Sequence, residues 1–352
     1  MPDTDLTALR ATEFARLDTT GNVYLDHTGS ALYPDVLVRE HASFLRASVL
    51  GNPHSRNPTA RASTEIVDAA RARILSFFRA DPAEYDAIFT ANASHALKLV
   101  GESYPFCQGS RLCLTADNHN SVNGIREFAA SRGAGTRYLT LDGELRICDL
   151  EAQLAGADRE RPNLFGFPAQ SNFSGVQHPL AWIERAQALG YDVLLDAAAF
   201  VPTNRLDLGT VKPDFVAISF YKMFGFPTGI GALLARRDAL AKLRRPWFGG
   251  GTVRFAAAQQ QVHIPYRNAV AFEDGTLNFL DIAAVPRGLD FLDDIGVERV
   301  HDHVTMLFGT LLDSLRALVH ENGQRMVRIY GPETTSAHGA TVAINLLAVD
   351  VG

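Results

Sequence analysis

Six short runs rich in apolar and β-branched residues punctuate the middle of the chain: YDAIFT (85–90), RLCLTA (111–116), NLFGFP (163–168), YDVLLDA (191–197), FVAISF (215–220) and GALLAR (231–236). Each is too short for an ordinary helix and carries little polar alternation, the pattern of strands buried on both faces of a mostly parallel sheet. Between them lie longer stretches with helical periodicity. In 63–78, Ile66, Ala69, Ala70, Ile74 and Phe77 recur near i, i+3, i+4 spacing, while Arg71 and Arg73 fall elsewhere. Strands alternating with helices predict an α/β domain with helices on both faces of the sheet. Ligands in such sheets bind at the carboxyl ends of the strands, so the residues just after each run are the ones to inspect for chemistry.

Composition narrows the function classes. With 352 residues, 47% hydrophobic and 20% charged, the chain is that of an ordinary folded protein, not a disordered or fibrous one. Its 33 basic and 39 acidic residues leave a net charge of −6, so no large electrostatic pull toward phosphate backbones exists and nucleic acid is not expected as a partner. Cys107, Cys113 and Cys148 are too few and too irregularly spaced for a disulfide framework or a metal site; no metal is expected, and a reducing compartment fits. The opening MPDTDLTALRATEF is acidic where a signal peptide is basic, and no apolar run reaches the roughly 18 residues of a membrane span, so a cytoplasmic protein without a membrane segment is expected.

From Asp281 the pattern turns helical (281–295, 297–320), then gives two strand-like runs, MVRIY and TVAINLLAV. This predicts an N-terminal segment (1–20), a large ligand-binding domain (21–285) and the start of a smaller C-terminal α/β subdomain (286–352). A compact subdomain is expected to continue past the strand at which this chain stops, so the chain is read as truncated.

The chemistry concentrates in LLDAAAF (194–200) and ISFYKMFGFPTGIG (218–231). Asp196 at the end of one buried strand and Lys222 just past the next place a carboxylate and an amine at the same end of the sheet. A pyridine ring bearing an aldehyde needs such a pair: the carboxylate keeps the ring nitrogen protonated, and the amine forms the Schiff base. Ser219 and Tyr221 flank the lysine with hydroxyls suited to a phosphate. In YDAIFTANASHALKLV (85–100), a strand, a turn of small residues and a helix bring the amides of Ala93, Ser94 and His95 to a helix N-terminus, where an anion is favoured. His119 in TADNHNSVNGIR follows another strand, in place to stack on the ring, and Asn172 in FPAQSNFSGV offers an amide to the ring oxygen. Taken singly, each also fits a structural role: Asp196, ANASHA and His119 as caps, Lys222 as a surface lysine, Asn172 as a turn former.

In this order the segments resemble the class V aminotransferase family of pyridoxal phosphate enzymes, which includes the cysteine desulfurases, and most closely the N-terminal desulfurase-like domain of molybdenum cofactor sulfurases. The resemblance rests on YLDHTGSALYP (24–34), GNPHS (51–55), FPAQSNFSGV (167–176), LLDAAAF, DFVAISFYKMFGFPTGIGALL (214–234), FGGGTV (248–253) and FEDGTLNFLDI (272–282), and runs from about residue 20 to about residue 350. It implies a fold-type I PLP-dependent transferase and pyridoxal 5′-phosphate as cofactor. Lys222 then carries the internal aldimine, Asp196 pairs with the pyridine nitrogen, and His119 stacks on the ring. Asn172 lies near the ring oxygen, and Ala93, Ser94, Ser219 and Tyr221 surround the phosphate. Tyr221 stands where many desulfurases have histidine. Gly275 and Thr276 match a loop that in relatives reaches the phosphate across a dimer interface, which implies a homodimer. His27, Gly29, Ser30 and His54 fall in segments that the resemblance puts near the substrate.

Two departures qualify it. Ala199 stands where desulfurases usually carry a glutamine, and none of the three cysteines matches the family's persulfide-forming cysteine, which is expected, with a carboxylate-binding arginine, downstream of residue 352. The implied activity is sulfur transfer from L-cysteine to an acceptor. Another class V reaction (β-elimination by a C–S lyase, transamination or epimerisation) and a low-turnover scaffold stay open as alternatives.

Overall fold

A computed structural model describes residues 6–349; the extremes of the expected N-terminal segment and C-terminal subdomain, 1–5 and 350–352, lie outside the described residues. All six apolar runs form strands, and a seventh joins them. The strands are β1 (Tyr85–Thr90), β2 (Arg111–Thr115), β3 (Gly135–Leu139), β4 (Asn163–Pro168), β5 (Tyr191–Asp196), β6 (Phe215–Ser219) and β7 (Gly231–Arg236). They make one sheet in the order β1-β7-β6-β5-β4-β2-β3. Neighbours from β6 through β3 pair parallel, whereas β7 runs antiparallel to both β6 and β1. The carboxyl ends of six strands therefore share one edge, and β7 begins there.

Alternation along the strands builds a core on each face. Val193, Leu195, Phe165 and Phe167 join the cluster containing Val67, Ala70 and Ile74 of helix Pro58–Phe77. Leu194, Leu164, Leu112 and Leu114 join the opposite cluster, with Leu97 and Val100 of helix Ala93–Ser103. These side chains are almost fully buried, and the Val, Leu, Ile and Phe among them are each worth about 1.5–3 kcal/mol in area terms. Helix Pro58–Phe77 starts where the sequence dictates: Asn57 caps the amide of Ala60, and Pro58 occupies a first-turn position that needs no donor.

Beyond the sheet, β8 (Val253–Ala256) and β9 (His263–Pro265) form a short antiparallel ribbon. Helices Ala284–Ile295 and Val297–Ala317 follow, and then a second ribbon of β10 (Val327–Tyr330) and β11 (Ala343–Leu346). The segment between β10 and β11 returns to the main sheet's ligand edge. There the amide of Gly339 donates to the carbonyl of Gly175 (2.7 Å), and that of Gln177 to the carbonyl of Ala337 (2.9 Å).

One close approach fixes residues 26–33. Gly225, at φ +78°, ends the short helix Phe220–Phe224, and a Cβ there would stand 2.2 Å from the amide nitrogen of Tyr33. Only glycine permits both the handedness and the approach. The amide of Ala31 donates to the carbonyl of Tyr221 (3.2 Å), so residues 26–33 lie against the helix that carries Lys222.

Candidate active site

The carboxyl edge of the sheet gathers the chemistry. Asp196 is the last residue of β5, and Lys222 sits in helix Phe220–Phe224 directly after β6. His119 follows β2, Asn172 lies in the turn after β4, and Ala93 and Ser94 open the helix after β1. These six, with Ser219 and Tyr221, line one cavity.

Burial works on both charged groups. The Asp196 carboxyl is held above its ordinary range by desolvation, opposed by the Ala198 amide (3.1 Å from Oδ1), then by Lys222 and His119. The Lys222 amine is lowered by desolvation, opposed by the charges of Asp196 and Asp26. Each group is thus pushed toward neutrality by its surroundings and drawn back by the other. Among the described residues, the Ala198 amide is the one hydrogen-bond donor to the Asp196 carboxylate, which leaves it able to take a further N–H from a ligand. His119 has a defined tautomer: Nδ1 accepts from the Ser121 amide (3.1 Å), so the proton of the neutral ring sits on Nε2.

At the helix start, the amides are not all free. That of Ala93 donates to Ser219 Oγ (2.8 Å), and that of His95 to the Asn92 side chain (2.9 Å). The Ser94 amide has no partner among the described residues, and its hydroxyl meets Ser121 Oγ at 2.6 Å. Because Ser219 Oγ accepts from Ala93, its own proton is available to an anion in the cavity. The His95 side chain is not on the cavity wall; its Nδ1 accepts from the Ala91 amide, and burial lowers its pKa.

The remaining expected residues fall into two groups. His27, Gly29 and Ser30 lie in the loop over the Lys222 helix, where the amides of Gly29 and Ser30 both donate to the Asp26 carbonyl. His27 packs edge-on to Tyr24 and has its pKa lowered by burial. His54, Gly275 and Thr276 form a separate cluster off the cavity wall. His54 Nε2 meets the Gly275 carbonyl at 3.1 Å, and Asn52 Nδ2 donates to Thr276 Oγ1 at 3.2 Å. Their loop is pinned by Arg71 on buried Glu273 and by Arg245 on Asp274, each at 2.9 Å.

Several lining residues escaped sequence reasoning: Asn92, Leu97, Pro168, Gln170 and Ala198. Gln170, two residues past β4, obeys the strand-end rule and was within its reach. Beneath the wall, His178 Nε2 meets Asp117 Oδ2 at 2.8 Å, with both side chains buried, and so ties the loop after β4 to the loop that carries His119. None of the three cysteines lines the cavity. Cys113 is buried in β2 with its thiol pKa pushed up by desolvation, Cys107 meets Ser110, and exposed Cys148 is raised by Asp142.

The aminotransferase class-V family model matches residues 23–351. Human molybdenum cofactor sulfurase is 39% identical over 364 residues, covering 97% of this chain; the chain spans 41% of that protein's length. An apo cysteine desulfurase from Thermococcus onnurineus superposes with a TM-score of 0.85 at 24% identity, over 99% of this chain and 84% of that one. A C-DES mutant with glycine covalently linked to its PLP cofactor gives 0.77 at 19% identity, over 98% of this chain and 86% of that one. The last two likenesses establish a shared fold.

Proposed function

Because the chain belongs to the class V aminotransferase family, we propose that it binds pyridoxal 5′-phosphate beside Lys222 and uses it to take sulfur from L-cysteine, leaving L-alanine. The observation that carries this reading is the meeting of buried Asp196 and Lys222 in one cavity at the ends of adjacent parallel strands. The donor set fits the cofactor. Asp196 has room for a pyridinium N–H, the Ser94 amide and Ser219 hydroxyl suit a phosphate, Tyr221 adds a further hydroxyl, and Lys222 suits the aldehyde. When bound, the cofactor supplies an electron sink for the substrate's α-carbon.

The chain's own residues supply the rest. Lys222, its proton affinity lowered by burial, acts as general base toward the Cα proton. Of the residues that would hold it, Asp196 would keep the ring nitrogen protonated, His119 would contact a ring face and Asn172 the ring oxygen. Sulfur transfer needs an acceptor thiolate: an S–S bond forms to it, the substrate's Cβ–S bond breaks, and the carbon skeleton takes up a proton to become alanine. The acceptor is not Cys107, Cys113 or Cys148, since none reaches the cavity wall. A second reading follows from the same fact: β-elimination to pyruvate and sulfide needs no acceptor.

The cluster of His54, Gly275 and Thr276 supports a homodimer, in which this pinned loop completes the partner's phosphate site. The same reading divides the chain into a segment to about residue 20, a cofactor domain over 21–285 and a small subdomain from 286. No described helix is long and apolar enough to cross a membrane. The three unpaired cysteines support a cytoplasmic location.

The test is product analysis. Cofactor-loaded protein is mixed with L-cysteine and excess dithiothreitol as acceptor, and alanine, pyruvate and sulfide are quantified together, with Lys222→Ala as control. Alanine matched by sulfide supports desulfuration, and pyruvate with sulfide supports elimination. No product from a loaded protein refutes both.

A further inference from the structure

Gln170 stands on the cavity wall, 5% exposed, and nothing above gives it a role. Its amide has a fixed sense. The carbonyl of Phe200 can only accept, so the Asn204 atom 3.0 Å from it is the amide nitrogen. The Asn204 oxygen then faces Gln177 at 3.1 Å and accepts from Gln177 Nε2. The second hydrogen on that nitrogen goes to Gln170 at 3.1 Å, so the Gln170 atom facing it is Oε1. A backbone carbonyl thus sets, through two amides, which end of Gln170 turns away. Its Nε2 meets no acceptor among the described residues yet is not sealed off, and the residue lines the cavity.

The amide is also wedged from behind. A Cβ on Gly339 would stand 2.2 Å from Oε1, 2.3 Å from Cδ and 2.4 Å from Nε2 of Gln170. Any larger residue at this point of the segment between β10 and β11 would push the amide aside.

Sheet order indicates which part of a ligand this donor meets. β6, which ends at Ser219 and leads to Lys222, lies on one side of β5, and β4, which leads to Gln170, lies on the other. In a pyridoxal ring whose nitrogen faces Asp196, the phosphate arm and the ring oxygen flank the aldehyde carbon on opposite sides. With the phosphate toward Ser94 and Ser219, the oxygen falls on the β4 side. We propose that Gln170 Nε2 donates a hydrogen bond to the ring oxygen of bound pyridoxal phosphate, an assignment that rests on the cofactor reading above. The Gln177–Asn204 pair orients that donor, and Gly339 holds it in place.

The test compares two ligands on the full chain, freed of cofactor: pyridoxal 5′-phosphate and its 3-deoxy analogue, which lacks the ring oxygen. Binding is read by equilibrium dialysis, independent of turnover. Gln170→Glu keeps an oxygen for Gln177 but replaces the donor with an acceptor. It is expected to weaken pyridoxal phosphate by roughly tenfold and the analogue by no more than about twofold. Gly339→Ala displaces the amide without removing it and is expected to show the same bias, more weakly. Equal losses for both ligands overturn the proposal and leave Gln170 a packing role, as does a wild type without preference between the ligands. A wild type that binds neither overturns the cofactor reading instead.

Discussion

Replacing Gly225 with alanine tests how the Lys222 helix is held, and the turn itself provides the control. Gly225 and Gly229 have nearly the same left-handed backbone, φ +78° and +74°. Around Gly229 a Cβ would meet nothing within 4 Å, whereas at Gly225 it would stand 2.2 Å from Tyr33 N, 2.5 Å from Leu32 C and 2.7 Å from Tyr33 Cα. Gly229→Ala therefore costs only the handedness, about 1–2 kcal/mol. Gly225→Ala adds a clash with three backbone atoms that cannot rotate away. Ordinary contact begins near 3.4 Å, so residues 32–33 must retreat by more than about 1 Å. The hydrogen bond from Ala31 to the Tyr221 carbonyl, already 3.2 Å long, then breaks, at a cost of about 0.5–1.5 kcal/mol. These two terms total about 1.5–3.5 kcal/mol, against about 1–2 for the control. Urea unfolding of both variants, compared at equal m-value, measures the difference. Equal midpoints would refute the claim that residues 26–33 are clamped on this helix. Gly225→Ala is also expected to weaken cofactor binding more than Gly229→Ala, because Asp26 moves away from Lys222.

Two further outcomes follow from the buried charges. Asp196 has its folded pKa raised above 3.8, so the folded state binds more protons than the unfolded one in that window, and this residue's contribution to stability falls as pH rises through it. Asp196→Asn removes that dependence: cofactor-free variant minus wild-type stability should grow as pH rises above 3.8, and a constant difference in denaturant midpoints contradicts the assignment. His178→Ala leaves Asp117 buried without its partner and should cost about 3–5 kcal/mol, whereas adding Asp117→Asn should recover part of the loss. A double-mutant cycle by thermal or urea unfolding decides, and strict additivity would count against a coupled pair.

How much the sequence discloses varies with what kind of information a feature needs. The six apolar runs became strands because burial on both faces leaves a continuous signal in the sequence. β3 was invisible for the opposite reason: GTRYL is an edge strand with four of its five residues exposed, so nothing in its composition marks it. Asp196, Lys222, His119 and Asn172 were legible because strand ends converge by topology. Hydrogen-bond sense was not. That the Ala93 and His95 amides are already engaged depends on Ser219 and Asn92, and the orientation of Gln170 depends on Asn204 and on a glycine far along the chain. Off-wall His54, Gly275 and Thr276 came from resemblance alone, and a single chain does not bring them to its own cavity.

The reversed strand β7 has a consequence for the order in which the molecule assembles. Parallel neighbours in the sheet are joined across long crossovers, but β6 and β7 pair from Ser219–Gly231 outward, separated only by the Lys222 helix and its turn. Loop-closure entropy is small for so short a separation, and contacts local in sequence form ahead of distant ones. The hairpin bearing the lysine is thus expected to be an early-forming unit, onto which β5 and then β4 dock. The reactive amine would be seated before the carboxylate that balances it arrives, and the cavity would be the last feature of the sheet edge to close.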